Sequence, residues 1–201
     1  MRILMLMTAL ILSGCAYSTK PIFTEQDNVF DDSFSGVWET KQDSILGYNK
    51  CEVTRWGPDA KSYRVILFGL SGAKRDTFQL YLSQINGTKF LTAKFENHSS
   101  EKPGSEQART SFEDIPAVYL TFAVDQLEGR QLTARLLSKD WLSRQFEKNP
   151  DLLKHEWHTP KGAKQKYFLL LNASTSELRS FVLSKIDKRE VWDPVTFHKI
   201  R

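Results

Sequence analysis

The chain is expected to fold as a mainly β domain, an antiparallel meander forming a curled sheet or barrel, with two short-to-medium helices late in the sequence. Three observations point there. Tyr63, Val65 and Leu67 alternate with Arg64, Ile66 and Phe68, and Phe78, Leu80 and Leu82 alternate with Gln79, Tyr81 and Ser83. A period of two is the mark of a strand. Asn86-Gly87 sits between two such runs, and Asn-Gly is the strongest short-range hairpin signal. Further strand-like runs recur at intervals set by turn residues, as in sandwiches and up-and-down barrels.

The elements follow in order. Residues 16–34 are polar (Glu25, Gln26, Asp27, Asn28, Asp31, Asp32, Ser33) and read as a flexible tether, with Phe23, Phe30 and Phe34 able to dock parts of it. The globular domain is expected over residues 35–201. A first strand opens at Gly36, and Lys50, Cys51, Glu52, Val53 and Thr54 read as another. Trp56-Gly57-Pro58-Asp59 marks a turn. Residues 90–95 continue past the hairpin, and 115–127 pairs with 130–137 about Glu128-Gly129. Residues 138–148 carry Trp141, Leu142, Gln145 and Phe146 at helical spacing, and Asn149-Pro150 stops them. A strand over 167–171 precedes Ser174-Thr175-Ser176-Glu177, a capping box. Leu178, Phe181, Val182 and Ile186 then form one apolar stripe, and a last strand spans 191–200.

The N-terminus speaks of location. Arg2 gives a positive start, residues 3–12 an apolar stretch broken only by Thr8, and Ser13 and Gly14 small residues before Cys15. That is the layout of a signal peptide over residues 1–14. The apolar run is too short for a spanning helix, which needs about 20 residues. Leu12-Ser13-Gly14-Cys15 resembles the bacterial lipobox. The resemblance implies cleavage before Cys15, a diacylglyceryl group on its sulfur, and a palmitate-bearing lipoprotein whose partner is the membrane. Ala16 stands where aspartate is associated with inner-membrane retention, so the resemblance implies the periplasmic face of the outer membrane of a Gram-negative cell.

The 201 residues are 40% hydrophobic, 12% aromatic and 26% charged, with a net charge of +4. This is an ordinary globular composition. The charges are interleaved in sign, and the densest basic stretch, 161–166, has no aromatic alternation. A solvated face is expected rather than a nucleic-acid site. With Cys15 taken by lipid, Cys51 is the one remaining thiol and no intramolecular disulfide is possible. Cys51 reads as a small buried hydrophobe.

Ser35-Gly36-Val37-Trp38-Glu39 resembles the Gly-x-Trp opening of lipocalin-like barrels, in which the Trp packs across the closed end. The tail, Leu170-Leu171-Asn172-Ala173 followed by Ser174, Glu177, Leu178 and Phe181, looks like the ending of a group of uncharacterised bacterial envelope proteins that open the same way. The resemblance implies a fold and carries no functional residues.

Catalytic patterns are weak. Ser71-Gly72-Ala73-Lys74 and Ser99-Ser100-Glu101-Lys102 match Ser-x-x-Lys but fall on turns, without the Lys-Thr-Gly that should follow. Gly69-Leu70-Ser71-Gly72 is followed by Ala73 and fails the nucleophile elbow. His155-Glu156-Trp157-His158 has His at i and i+3, whereas a zincin needs i and i+4. In a strand the two rings would face opposite sides. Asp31-Asp32 and Glu113-Asp114 read as turn and solubility residues. No enzyme, metal or cofactor is expected.

Four roles remain: a non-catalytic envelope binding module, an inhibitor or assembly factor acting through the polar loop 97–112, a carrier of a small apolar ligand and, most distantly, a hydrolase or metal-dependent enzyme. Phe68, Phe78, Tyr81, Phe90, Phe95 and Phe122 are the aromatics expected to line or fill a barrel.

Overall fold

A computed structural model describes residues 16–40, 50–58, 60–68, 74–96, 115, 117–158 and 168–201. Among them run twelve strands: β1 (Ala16–Ser18), β2 (Asn28–Val29), β3 (Gly36–Glu39), β4 (Lys50–Arg55), β5 (Tyr63–Phe68), β6 (Lys74–Ile85), β7 (Thr88–Glu96), β8 (Ala117–Glu128), β9 (Gln131–Leu137), β10 (His155–His158), β11 (Phe168–Leu171) and β12 (Trp192–Lys199). Helix α1 (Lys139–Lys148) lies between β9 and β10, and α2 (Thr175–Ser184) between β11 and β12. The expected class is the one observed, and it resolves into a closed barrel. Strands β3 to β9 pair antiparallel in sequence order, β9 pairs β12, and β12 pairs back onto β3. Eight strands give an interior just wide enough for side chains or one small ligand.

Local chemistry explains the turns and caps. Asn86 and Gly87 both have positive φ, 50° and 81°, as a two-residue type I′ hairpin demands. Gly129, φ 57°, turns β8 into β9. The Ser138 hydroxyl accepts from the Trp141 amide at the start of α1. At α2 the expected capping box is complete: Ser174 Oγ accepts from the Glu177 amide at 3.3 Å, and the Glu177 carboxylate accepts from the Ser174 amide at 2.8 Å.

Two apolar cores share one wall. The first lines the barrel interior, with Trp38, Val53, Val65, Leu82, Leu120 and Val195 pointing inward. The second lies outside it, where Phe90 and Ala123 meet Leu142 and Phe146 of α1, Leu178 and Val182 of α2, and Leu169 and Leu171 of β11. A small layer, β10-β11-β1, joins β8 through the pair Ser18↔Tyr119, and β1 runs parallel to β11. Phe90, expected inside, faces outward and packs against Phe23 with ring centroids 4.5 Å apart, because it alternates with the inward Leu91.

Residues 16–34 are the main correction. They are a strap packed round the barrel, where a flexible tether was expected. Strand β1 is central, with β8 on one side and β11 on the other. Ile22 and Phe23 enter the outer core. The Asp27 carboxylate accepts two hydrogen bonds from Arg179 of α2, at 2.9 and 3.2 Å. Strand β2 pairs β6 at Ser83 and Leu82, beyond the Tyr63↔Leu80 pair where β5 begins. Phe30 stacks on Tyr63, and Phe34 is buried against Trp38 and Tyr63. Each buried large apolar side chain contributes about 1.5–3 kcal/mol. Ile22, Phe23 and Phe34 together offset part of the ordering cost of the segment, and strand pairing and hydrogen bonds must supply the rest.

Tyr63 anchors this strap from the barrel side. Its hydroxyl accepts from the Asp31 amide at 2.8 Å and donates to the Asp31 carbonyl at 3.1 Å. Burial pushes the phenol pKa up to about 12. Tyr63→Phe strands both backbone groups and is expected to lower stability by about 1–3 kcal/mol, read as a lower urea midpoint at unchanged m-value.

Candidate functional site

The barrel interior holds a partly open apolar cavity of about 100 Å³. Its deeper wall is made by Trp38, Val53, Val65, Leu80, Ala93 and Leu120, all buried. Inward positions are supplied by strand alternation, and register stacks them in rows: Trp38 beside Cys51 beside Leu67, and Leu80 beside Ala93 beside Leu120. Phe34 contributes from the strap, and the Trp38 indole N–H donates to the Phe34 carbonyl at 2.9 Å, fixing the ring. Trp38 is 1% exposed and lies on the cavity lining.

Leu67, Phe78, Phe95, Phe122, Phe197 and Cys51 line the same cavity and are only half-buried. Lys50, exposed at the start of β4, is the one charged residue on the lining among the described residues, and its ammonium lies 5.8 Å from the Phe68 ring centroid. The described lining is therefore hydrocarbon-like, with the Lys50 cation at its margin. For scale, an apolar cavity of roughly 150 Å³ takes benzene and excludes water.

No protein-family model, curated protein or solved structure matches this chain.

Of the six aromatics expected to line or fill a barrel, the cavity gathers Phe78, Phe95 and Phe122. Tyr81 falls on the outer face between the inward Leu80 and Leu82, and Phe68 is not on the lining. Phe34, Phe197 and Lys50 were missed. Phe34 was taken for part of the tether, whereas Phe197 stands two residues from the inward Val195, an alternation visible in the last strand.

Cys51 is a free, half-buried thiol on the lining. Burial pushes its pKa up to about 12. The thiolate is the reactive form, so this sulfur behaves as an apolar group at neutral pH. His155 and His158 lie on β10, three residues apart, and so on opposite faces. The His155 ring stacks on Phe146 with centroids 3.6 Å apart, and its Nδ1 bonds the Leu153 carbonyl at 2.9 Å. No group of three or more His, Cys, Asp or Glu that could hold a metal occurs among the described residues. Asp31 caps a turn through the Ser33 amide and pairs with Lys89 at 3.1 Å. Cys15, Ser71, residues 97–112, Glu113-Asp114 and residues 161–166 lie outside the described residues.

Alkylation of Cys51 at pH 8 is expected to run about a thousandfold slower in the folded protein than in urea, following the thiolate fraction. The folded rate should keep rising to about pH 12, while that of the unfolded chain levels off above 9.0. Iodoacetamide kinetics across pH measure both.

Proposed function

We propose that this protein is a lipid-anchored component of a bacterial envelope, held by Cys15 on the periplasmic face of the outer membrane, and that its barrel is a non-catalytic binding site for the apolar end of a slender small molecule. The observation that carries the binding reading is the cavity of about 100 Å³ with its near-continuous apolar lining. A filled barrel would need no such space, because native interiors pack to crystal-like density with few voids larger than water. The volume suits one short hydrocarbon segment better than a bulky ring system. The anchor reading is supported by the order Arg2, residues 3–12, and Leu12-Ser13-Gly14-Cys15. The cavity supports a carrier of a small apolar ligand. The inhibitor reading rests on loop 97–112.

Titration of the purified protein with straight-chain alkanols from hexanol to decanol is expected to give saturable binding with an optimum chain length. Ala93→Phe, which fills the cavity from β7, should weaken binding at least about tenfold while leaving the far-ultraviolet circular dichroism unchanged. Absence of saturable binding, or equal binding by the filled variant, would overturn the assignment. For the anchor, Cys15→Ser, or globomycin treatment of the wild type, should make the uncut precursor accumulate in cells. Normal cutting of the variant would remove this reading.

A further inference from the structure

We infer that the lipid anchor is set flush against the domain, without a spacer, so that the bilayer headgroup surface meets the protein at one defined place, the end of the small sheet marked by His158 and Phe168. This rests on the proposed lipidation of Cys15. The first residue after that cysteine, Ala16, is 6% exposed and the next, Tyr17, is 4% exposed. Both belong to β1, which is flanked on each edge: Ala16 pairs with Leu169 of β11, and Ser18 with Tyr119 of β8. The Thr19 amide continues the pairing with a bond to the Leu171 carbonyl at 3.1 Å. Ala16 therefore has no slack to extend outward, and Cys15 lies one Cα step, about 3.8 Å, from it.

The contrast with a tether is quantitative. A free chain over residues 16–34 would have a root-mean-square span of about 24 Å, enough to let the domain tumble above the membrane. A flush attachment removes that freedom. It also selects a surface. Leu169, opposite Ala16, pairs on its other side with Trp157, and the next pair outward is Phe168 with His158. Two strand spacings separate β1 from β10, about 10 Å. His158 therefore lies within about that distance of the acylated residue. A diacylglyceryl group inserted in the bilayer at Cys15 brings the headgroups to this edge.

The test uses the full-length, processed protein in vesicles of phosphatidylethanolamine and phosphatidylglycerol containing a headgroup-level spin-labelled lipid. In a Cys51→Ala background the acylated Cys15 has no free thiol, so His158→Cys can be labelled singly with bimane. Thr54→Cys, exposed on β4, which stands four strands from β8 either way round the barrel, is the control site. Glu156→Cys, exposed on the same strand as His158, repeats the measurement should the first variant fold poorly. Quenching is expected to be severalfold stronger at 158 or 156 than at 54. A ten-residue Gly-Ser insertion between Cys15 and Ala16 should abolish the difference. Equal quenching at the two sites, with mass spectrometry showing lipid on Cys15, overturns the flush attachment alone. A mass spectrum without lipid on Cys15 overturns the anchor and this inference together.

Discussion

The architecture depends on a short seam. Strand β12 closes the barrel against β3 through the pairs Lys199↔Trp38 and His198↔Glu39, with the Val37 amide bonding the Arg201 carbonyl at 3.0 Å and the Ile200 amide bonding the Val37 carbonyl at 2.8 Å. The approach is so close that a Cβ on Gly36 would stand 2.4 Å from the Arg201 carbonyl oxygen, and the glycine holds φ at +142°. Any side chain at this position would push the last strand away. With the seam closed, this wall of the barrel has no free edge and its inner face shelters a cavity. Opened, Trp38 would lose the frame that orients it, and the lining would become one exposed face of a sheet.

The second constraint is the branching at β8. Along one edge it pairs β7 from Lys89↔Val124 to Glu96↔Ala117. Its other edge is divided, with β1 at Tyr119 and β9 from Phe122 onward. A register shift between Val124 and Gln126 accompanies the change, as β-bulges do where a strand must bend. Because side chains alternate, the same strand sends Val118 and Leu120 into the barrel and Ala123 into the helical layer. Two cores are thus built on one wall, and the helices cover the outside of the barrel without entering it.

Much of this was legible in the sequence, for reasons that differ by element. The Asn86-Gly87 hairpin and the Ser174–Glu177 cap are decided by local chemistry, so residue identity is enough. Strands β5 and β6 carry a period of two because one face lines the barrel, whereas β7 is buried on both faces over residues 90–93. The strap was misread because its burial is tertiary. Ile22, Phe23, Phe30 and Phe34 are isolated among polar residues, and β1 is only three residues long, too short for any periodicity. For the site, alternation locates the inward positions, but no single-strand pattern shows how much space eight strands leave between them. Phe90 shows the limit: its neighbours decide which core it serves, and they come from the strap and the helices.

The parallel pairing of β1 with β11 has a consequence in time. Ala16 is among the first described residues of the chain and Leu169 among the last third. Bringing them together requires closing a very long loop, and contacts of such high sequence separation form slowly. The strap's ion pair, Asp27 with Arg179, spans a similar interval. During synthesis this segment is therefore made before the strands and helix it packs against. Until β11 and α2 arrive, Tyr17, Ile22 and Phe23 remain uncovered, and the exposed edge of β8 is open to pairing with other chains. Holding that segment apart until the C-terminal third has appeared is then a kinetic requirement of this fold, separate from the stability of the finished barrel.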